Sequence, residues 1–356
     1  NGPSTVFNSF NASINATYVL DLFGGARRGI EALQAEVRYQ QYQLLAAYLT
    51  LTTNITTTAI TIASLKAQIK ATETLLQAQI NQLNILKKQF TLGGISRSNL
   101  LTQETLVEQT RATLPPLMLQ LAQNRHALSV LLGWPTSHPL PELDLNQLHL
   151  PSVLPVSLPA CLVQMRPDIQ SAMALLHAAS AQIGVATAQL LPQITLTGNM
   201  QWNALTIGEL FSGNRIWSMG TTILQPIFRG GALLANRRAS IAAYQQAFFQ
   251  YQQTLLVAFQ NVADSLRAVE NDAKTLRAQR RAEIAAKSSL LLSESQFRLG
   301  GVSYLILLNA QQQYLSTQLN RIRAESSRFA DTAVLFQALG GGWWHDIKHC
   351  TAKICC

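Results

Sequence analysis

The amino-acid sequence predicts a mainly α-helical fold in which one long helical hairpin occurs twice, with strand-like segments before each copy. The segment 90–96 (FTLGGIS) returns about 207 positions later as 297–303 (FRLGGVS), and the segment 22–26 (LFGGA) returns as 227–232 (IFRGGA). Each copy also holds a helical run of about 65 residues, a Gly-Gly turn and a second run of about 35. Because this period far exceeds the 20–50 residues of solenoid repeats, we expect two duplicated hairpins rather than a stacked array.

The first half is predicted to contain a partial β-hairpin over 1–23, a helical hairpin over 24–132 and a proline-rich connector over 133–165. The run 18–23 (YVLDLF) alternates in the manner of a strand. Apolar residues then recur every seven positions with one four-residue phase shift, a heptad pattern that outweighs the poor helix propensity of the threonines between 50 and 61. They are Ile30, Val37, Leu44 and Leu51, then Ile55, Ile62, Ile69, Leu76 and Leu83.

A pair of prolines, Pro115 and Pro116, lies inside the second helical run of this half. An interior proline costs a helix about 3 kcal/mol. We therefore expect a kink or break at the pair, and none at the matching residues 319–323 of the second copy.

The second half repeats the plan more completely. A helix over 166–191 begins at Pro167, which suits a first helical position. It is followed by a β-hairpin over 192–228, a helical hairpin over 229–341 and a tail over 342–356 that is predicted to be disordered.

The β-hairpin of the second half informs the first half. Its alternating run 193–200 and its return strand 217–228 are each about as long as a strand that crosses a bilayer obliquely. Residues 13–23 align with 218–228, so the first strand corresponds to a return strand. Its outgoing partner and the helix before it are expected upstream of Asn1, over about a hundred residues by the spacing of the second copy.

Composition limits the function classes. Charged residues make up 13% of the 356 residues, about half the usual share, while the hydrophobic share of 48% is ordinary. Such a chain suits long helices packed on two sides or walls around a water-filled lumen. No run of 18 apolar residues occurs, so the sequence predicts no transmembrane helix. The net charge of +9 comes from scattered basic residues without interleaved aromatics, a pattern that is not typical of nucleic-acid binding.

No motif predicts catalysis. The sequence lacks an HExxH motif, a Ser/His/Asp order and a phosphate-binding glycine loop. Cys350, Cys355 and Cys356 lie close to His345 and His349, and both residue types ligate zinc, but their spacing fits no standard zinc motif. We therefore predict no enzyme, no catalytic residue, no metal site and no cofactor.

Six short motifs follow one another along the chain in a defined order. They are 165–169 (MRPDI), 183–186 (IGVA), 191–194 (LPQI), 225–228 (QPIF), 259–264 (FQNVAD) and 338–343 (ALGGGW). Each is weak alone, but the ordered set is highly specific. With these motifs the chain resembles the TolC-like outer-membrane factors, particularly the OprM/NodT lipoprotein branch, over nearly all residues from 13 to 343.

The resemblance implies a homotrimeric export duct. Each protomer of that family gives four strands to one twelve-stranded β-barrel in the outer membrane, and its helices form an α-barrel that extends into the periplasm. The implied partners are a periplasmic membrane-fusion adaptor, an inner-membrane pump and outer-membrane lipid. The exported compounds are drugs, other small toxic compounds or metals, and the pump supplies the energy. The cysteine that carries the palmitate anchor of this branch is expected upstream of Asn1.

The resemblance also implies a periplasmic gate near the helix turns, with Asn99, Asn309, Tyr304 and Arg97 as candidates. Asn99 and Asn309 stand where relatives often carry aspartate, so a charge-operated gate is not predicted. The alternative is that these residues are ordinary polar residues beside a turn.

Two further sets of residues complete the expected site. The helix turns, which permit tight backbone and are expected to dock the adaptor, comprise Gly93, Gly94, Gly300, Gly301 and Arg298. Transitions between the barrel and the helices are expected at Pro192 and Pro226, since proline interrupts both helix and sheet ladders.

A competing hypothesis is a structural protein without transport, either a helical scaffold or a truncated channel remnant. Three strands per protomer would give a trimer of nine, for which barrel closure is not expected. The discriminating pattern is alternation in the second hairpin, where one face of a barrel strand is apolar and the other polar. Ile194, Leu196, Ile223 and Ile227 support alternation, whereas Gly198 and Gly220 weaken it.

Overall fold

The computed structural model describes residues 8–141, 143–151, 165–212 and 215–341, and it is mainly helical with one small antiparallel sheet. The predicted tail 342–356, residues 152–164 of the predicted connector and the first residues of the predicted segment 1–23 lie outside the described residues. The elements are β1 (Phe10–Leu20), α1 (Gly25–Thr91), α2 (Arg97–Ala112), α3 (Leu114–Leu131), α4 (Pro167–Ala188), β2 (Gln193–Ala204), β3 (Arg215–Leu224), α5 (Ala232–Arg298) and α6 (Tyr304–Ala338).

Among the helices that the structure describes, none combines the length and the apolarity that crossing a membrane requires. The chain divides into two compact units. One comprises 1–43 and 168–255 and holds the three strands, α4 and the adjoining ends of α1 and α5. The other comprises 44–167 and 256–356 and holds the remainder of α1 and α5 with α2, α3 and α6.

The strands of the first unit form one antiparallel sheet in the order β1-β2-β3. The sequence predicts a return strand to residue 228, but β3 ends at Leu224. The reason is Pro226, which has no N–H for a ladder hydrogen bond. Gln225 turns its side chain to the Leu190 carbonyl instead, at 3.2 Å.

The first strand is also shorter than predicted, because β1 ends at Leu20 rather than at residue 23. The Asp21 carboxylate accepts hydrogen bonds from the backbone N–H groups of Ala26 and Arg27, at 3.1 and 2.9 Å, and so satisfies the first turn of α1. These bonds, that of Arg27 above all, hold the pKa of Asp21 below its usual value. Residues 21–24 therefore lead into α1 instead of continuing the strand.

Close contact between α4 and α1 depends on small residues in the first unit. A Cβ at Gly184 would lie 2.9 Å from Arg28 Cγ, and one at Gly25 would lie 3.1 Å from the Cβ of Ala188. The Gln43 amide also donates a hydrogen bond of 2.7 Å to the Ser171 hydroxyl across the two helices.

The threonine-rich stretch of α1 is helical, as the heptad pattern predicts. Its hydroxyls donate to backbone carbonyls one turn earlier, which satisfies these polar groups within the helix. The donors Thr50, Thr53, Thr56, Thr57 and Thr61 reach residues four positions earlier at 2.8–3.0 Å.

The predicted break at the proline pair is confirmed. Helix α2 ends at Ala112 and α3 begins at Leu114, with the prolines in its first turn. Thr113 between them closes a tighter turn, since its N–H bonds to the Thr110 carbonyl at 3.2 Å. In the second copy α6 runs without interruption over 35 residues.

The two heptad stretches of α1 differ in their surroundings. Ile69, Leu76 and Leu83 are buried in the second unit against Val107 and Leu114. The residues of the earlier stretch are exposed: Ile30 (56%), Val37 (57%), Leu44 (70%) and Leu51 (39%). The first stretch therefore has an apolar surface that the described part of the chain does not cover.

Polar contacts join α5 to α6 in the second unit. Arg321 binds Glu283 at 2.8 Å and Glu325 at 2.6 Å, and Arg280 binds Glu325 at 2.8 Å. Towards the other end of this interface, burial raises the pKa of Asp272 to about 6. The neighbouring carboxyl of Asp331 adds to this rise by hydrogen bonding and by charge, whereas Arg328 opposes it.

The Asp272 carboxyl should make stability depend on pH. Because its pKa is higher in the folded chain than the ordinary 3.8, the folded state holds the proton more tightly. The stabilisation is complete below the ordinary value and is lost as the pH rises towards about 6. We expect Asp272→Asn to flatten the fall of the thermal unfolding midpoint between pH 4.5 and pH 7.5, measured by circular dichroism on the purified protein.

The control is Glu270→Gln, two positions away, where hydrogen bonds from Lys274 and Arg267 lower the pKa of the carboxyl instead. This variant should keep the wild-type slope over the same pH range. An equal slope in wild type and Asp272→Asn would contradict the assignment of the pH dependence to Asp272.

Candidate functional site

The two helix turns of the duplicated segment have the same backbone hydrogen bonds. After α1, Gly94 N–H bonds to the Gln89 carbonyl at 2.8 Å and Gly93 N–H to the Phe90 carbonyl at 3.0 Å. After α5, Gly301 and Gly300 bond to residues 296 and 297 at 2.8 and 3.1 Å. These are Schellman motifs, in which the residue after the helix adopts a left-handed conformation.

Gly93 and Gly300 supply that conformation, with φ of 77° and 74°. The space around both is open, so backbone conformation and not crowding requires glycine there. Immediately before them, Leu92 and Leu299 are 85% and 84% exposed. Arg298 is exposed as well, and its Nε donates to the Glu294 carbonyl at 3.4 Å. Each turn thus presents an apolar side chain on a fixed backbone.

The candidate gate residues divide into exposed and buried ones. Arg97 and Asn99 are exposed in the first turn of α2, and Asn309 is exposed on α6. The Asn99 backbone N–H donates to the Ser96 hydroxyl at 3.3 Å, which caps α2. Tyr304, by contrast, is buried at 7% exposure in a cluster of leucines, with Phe297 packed beside it.

Tyr304 belongs to a buried polar chain that links three helices. Its hydroxyl donates to Gln103 Oε1 on α2, and Gln103 Nε2 donates to the Gln79 backbone carbonyl on α1 at 2.8 Å. Burial raises the pKa of Tyr304, so its hydroxyl stays protonated as a donor. The resemblance makes Tyr304 a gate candidate. The structure places its side chain inside, where it bonds α6 to α2.

The structure adds two residues that sequence reasoning does not identify, Gln79 and Gln103. Both side chains are fully buried, at 0% exposure. A signal did exist for Gln79, because it lies between Leu76 and Leu83 on the apolar stripe of α1. A polar residue on such a stripe either has a buried partner or carries a desolvation cost.

The two transition prolines lie at the same end of the sheet. Pro192 directly precedes β2, and Pro226 follows β3 by two positions. Since Gln193 pairs with Leu224, both prolines stand where the strands give way to helices.

The sheet has one mainly apolar face and one mainly polar face. Antiparallel register brings like residues together, so that Ile14 pairs with Met200 and Met200 with Trp217, while Asn15 pairs with Asn199. The apolar face comprises Phe10, Ala12, Ile14, Ala16, Tyr18 and Leu20; Ile194, Leu196, Gly198, Met200, Trp202 and Ala204; and Trp217, Met219 and Ile223, with Thr221 and Arg215 as exceptions.

The polar face consists mostly of Asn, Gln, Ser and Thr. Amide side chains bond across it: Asn11 donates to Asn203 at 2.9 Å, as does Gln201, and Asn199 donates to Asn15. The exceptions are Val19, Ile216 and Leu224, towards the strand ends, and Gly220 in the middle of β3. Ile227, which the sequence counts towards alternation, lies beyond β3 and has no place on either face.

Comparison with known proteins decides the family. The family model of the outer membrane efflux protein matches residues 2–134 and 158–341. The chain belongs to that family. It is 33% identical over 350 residues to the probable efflux pump outer membrane protein TtgC of Pseudomonas putida, covering 96% of this chain and 71% of the relative. It is 31% identical to the nodulation protein T of Rhizobium leguminosarum, covering 94% of this chain and 70% of the relative.

The fold agrees with the family. A crystal structure of CusC matches with a TM-score of 0.84 and 27% identity, covering 96% of this chain and 80% of that one. The resemblance that the sequence motifs indicate is therefore confirmed. As a member of the family the chain is a passive outer-membrane efflux channel protein and not an enzyme, and it works in the outer membrane as part of an efflux system.

Loss of the Tyr304 hydroxyl should weaken the link beneath the turns. Tyr304→Phe leaves Gln103 Oε1 buried without its donor, which typically costs about 1–3 kcal/mol. We expect a fall of that size in the free energy of unfolding of the purified protein, measured by denaturant titration of its helical circular dichroism.

Tyr314→Phe is the matched control, since Tyr314 is partly buried on the same helix and makes no side-chain hydrogen bond to another described residue. The loss in free energy of unfolding caused by Tyr314→Phe should be much smaller than that caused by Tyr304→Phe. Equal stability of the two variants would mean that the Tyr304 hydroxyl contributes no net hydrogen-bond energy.

Proposed function

We propose that three copies of this chain form one exit duct, with strands in the outer membrane and helices enclosing a periplasmic conduit. The observation that carries the proposal is the division of the sheet into an apolar and a polar face. A strand between lipid and a watery lumen needs this alternation, with apolar side chains towards lipid. On the apolar face, Tyr18 and Phe10 are separated by about 27 Å of strand, which at an oblique tilt is close to the apolar band of an outer-membrane barrel.

Uncovered edges and surfaces support assembly from several copies. Within the described part of the chain, β1 and β3 each pair on one side only. An unpaired strand edge costs several kcal/mol per polar group in lipid, so both edges call for further strands, as in a closed barrel. The exposed heptad residues of α1, among them Val37 and Leu44, are suited to neighbouring helices in the same way.

The turns are the proposed contact with a periplasmic adaptor, which would connect the duct to an inner-membrane pump. Leu92 and Leu299 would enter apolar sites of the adaptor, while Gly93 and Gly300 set the turn conformation. Gly94, Gly301 and Arg298 complete the proposed docking surface. Exposed side chains at Arg97, Asn99 and Asn309 are proposed to line the narrow end of the conduit, with Tyr304 as a positioning residue beneath them.

The cargo is proposed to be small toxic compounds. Relatives are named for antibiotic, toluene and cation efflux, and they are 30–33% identical to this chain. No resident cofactor is needed for such a role, because a passive duct only conducts what a pump delivers. Among the described residues no cluster of three or more His, Cys, Asp or Glu side chains could hold a metal ion.

The assembly is tested by negative-stain electron microscopy of the purified chain in detergent, followed by planar-bilayer conductance. We expect three-fold tubes with a helical barrel and discrete conductance steps. Monomers or ragged particles without conductance would favour the competing hypothesis of a scaffold or a truncated remnant.

The gate is tested by restoring a carboxylate. In a trimer Asn309→Asp places three negative charges close together, which attract cations strongly in a narrow lumen. We expect the variant to become cation-selective and to be blocked by divalent cations at low ionic strength, as measured by reversal potential and single-channel current.

Asn320→Asp is the matched control, because residue 320 is exposed on the same helix and lies three turns further on the same face. It should conduct like the wild type. If Asn309→Asp has unchanged selectivity, Asn309 does not line the narrow part of the conduit.

A further inference from the structure

The loop between β2 and β3 carries apolar side chains in an unusual place. Leu205, Ile207 and Phe211 are 64%, 73% and 74% exposed. Within residues 205–212, the Thr206 hydroxyl donates to the Glu209 carboxylate at 3.0 Å and a 3₁₀ turn spans Ile207–Glu209. Neighbouring apolar side chains that are exposed in this way are typical of a contact surface.

This loop surface continues the apolar face of the sheet. The Phe211 ring lies edge-on to Trp202, with ring centroids 5.8 Å apart and an interplanar angle of 70°. Trp202 belongs to the apolar face, in line with Met200 and Leu196. The apolar face therefore extends beyond the ends of the strands into the loop.

A positive charge stands at the edge of this surface. Arg215 pairs with Trp202 across β2 and β3, so both side chains are on the apolar face. It is the one basic residue of the three strands, it is exposed, and it makes no ion pair with another residue in the described part of the chain. Trp217, two positions along, is 69% exposed on the same face.

The order of the elements along the chain indicates on which side of the membrane the loop between β2 and β3 lies. Helix α4 precedes β2 and helix α5 follows β3, so both helices join the sheet at the end opposite the loop. If the helices extend into the periplasm, the loop lies at the outer leaflet. Aromatic rings prefer the boundary between lipid and water, and a guanidinium binds phosphate with two parallel hydrogen bonds.

We propose that Arg215, Trp202 and Phe211 form a binding site for the phosphorylated headgroup of an outer-leaflet lipid, with Ile207 and Trp217 against its acyl chains. The inference rests on the proposed placement of the sheet in the outer membrane. The occupant is a lipid rather than a protein because the site is continuous with the apolar face and its one charge complements a phosphate.

The test is lipid binding to the purified trimer, counted by native mass spectrometry during titration with lipid A and with the same lipid after enzymatic removal of its phosphates. We expect saturable binding of the phosphorylated lipid. Arg215→Gln should weaken that binding roughly tenfold and leave the dephosphorylated lipid unaffected. The affinity of Arg215→Lys for the phosphorylated lipid should lie between those of the wild type and Arg215→Gln, because lysine keeps the charge but not the paired hydrogen bonds.

Two further variants separate the contributions. Phe211→Ser should weaken the binding of both lipids equally, because the substitution removes apolar contact and not charge. Arg229→Gln is the control, being exposed at the opposite end of the sheet, and it should bind lipid A like the wild type. Equal binding by Arg215→Gln and wild type, or equal loss in Arg229→Gln, would overturn the proposed site.

Conductance measurements on the same preparations distinguish failure of the proposed lipid site from failure of the proposed duct. If the wild type conducts as a trimer and Arg215→Gln binds lipid A normally, only the lipid site is wrong. If the wild type neither assembles nor conducts, the proposed duct itself is wrong. If the loops of the three copies bury one another, Phe211→Ser should change the conductance and leave lipid binding unchanged, which also overturns the lipid site.

Discussion

Cross-strand register is the constraint on which the arrangement of this chain depends. Side chains alternate between faces with a period of two, so a slip of one residue would exchange the apolar and polar faces. The observed pairing of Ile14 with Met200 and of Asn15 with Asn199 puts like with like on both faces. The same register sets Arg215 beside Trp202 and brings the strand ends at Pro192 and Pro226 to one side.

The helical hairpin occurs twice in the chain, and the two copies differ in structure where their sequences differ. Both long helices end in the same hydrogen-bonded turn, with a left-handed glycine at Gly93 and Gly300. The returning helices are unlike, because Pro115 and Pro116 divide the first while α6 is continuous. A duplicated architecture thus keeps the turn geometry constant and lets the return helix vary.

Buried polar groups give these long helix pairs specific positions that apolar heptads alone leave open. Apolar contacts tolerate sliding along a helix, whereas a buried hydroxyl bonded to a buried amide permits one arrangement only. Tyr304 and Gln103 supply such a contact below the turns. The charged network around Arg321 lies between α5 and α6.

Local pattern in the sequence determined the fold class, the duplication, the helix break at Pro115 and the family, because periodicity, proline and glycine act within a few residues. It misjudged the ends of β1 and β3, where Asp21 and Pro226 redirect the chain. It missed Gln103, whose partner Tyr304 is 201 residues away, and the placement of Arg215 beside Trp202. Only the tertiary structure decides such pairs, because burial depends on which distant elements cover a side chain.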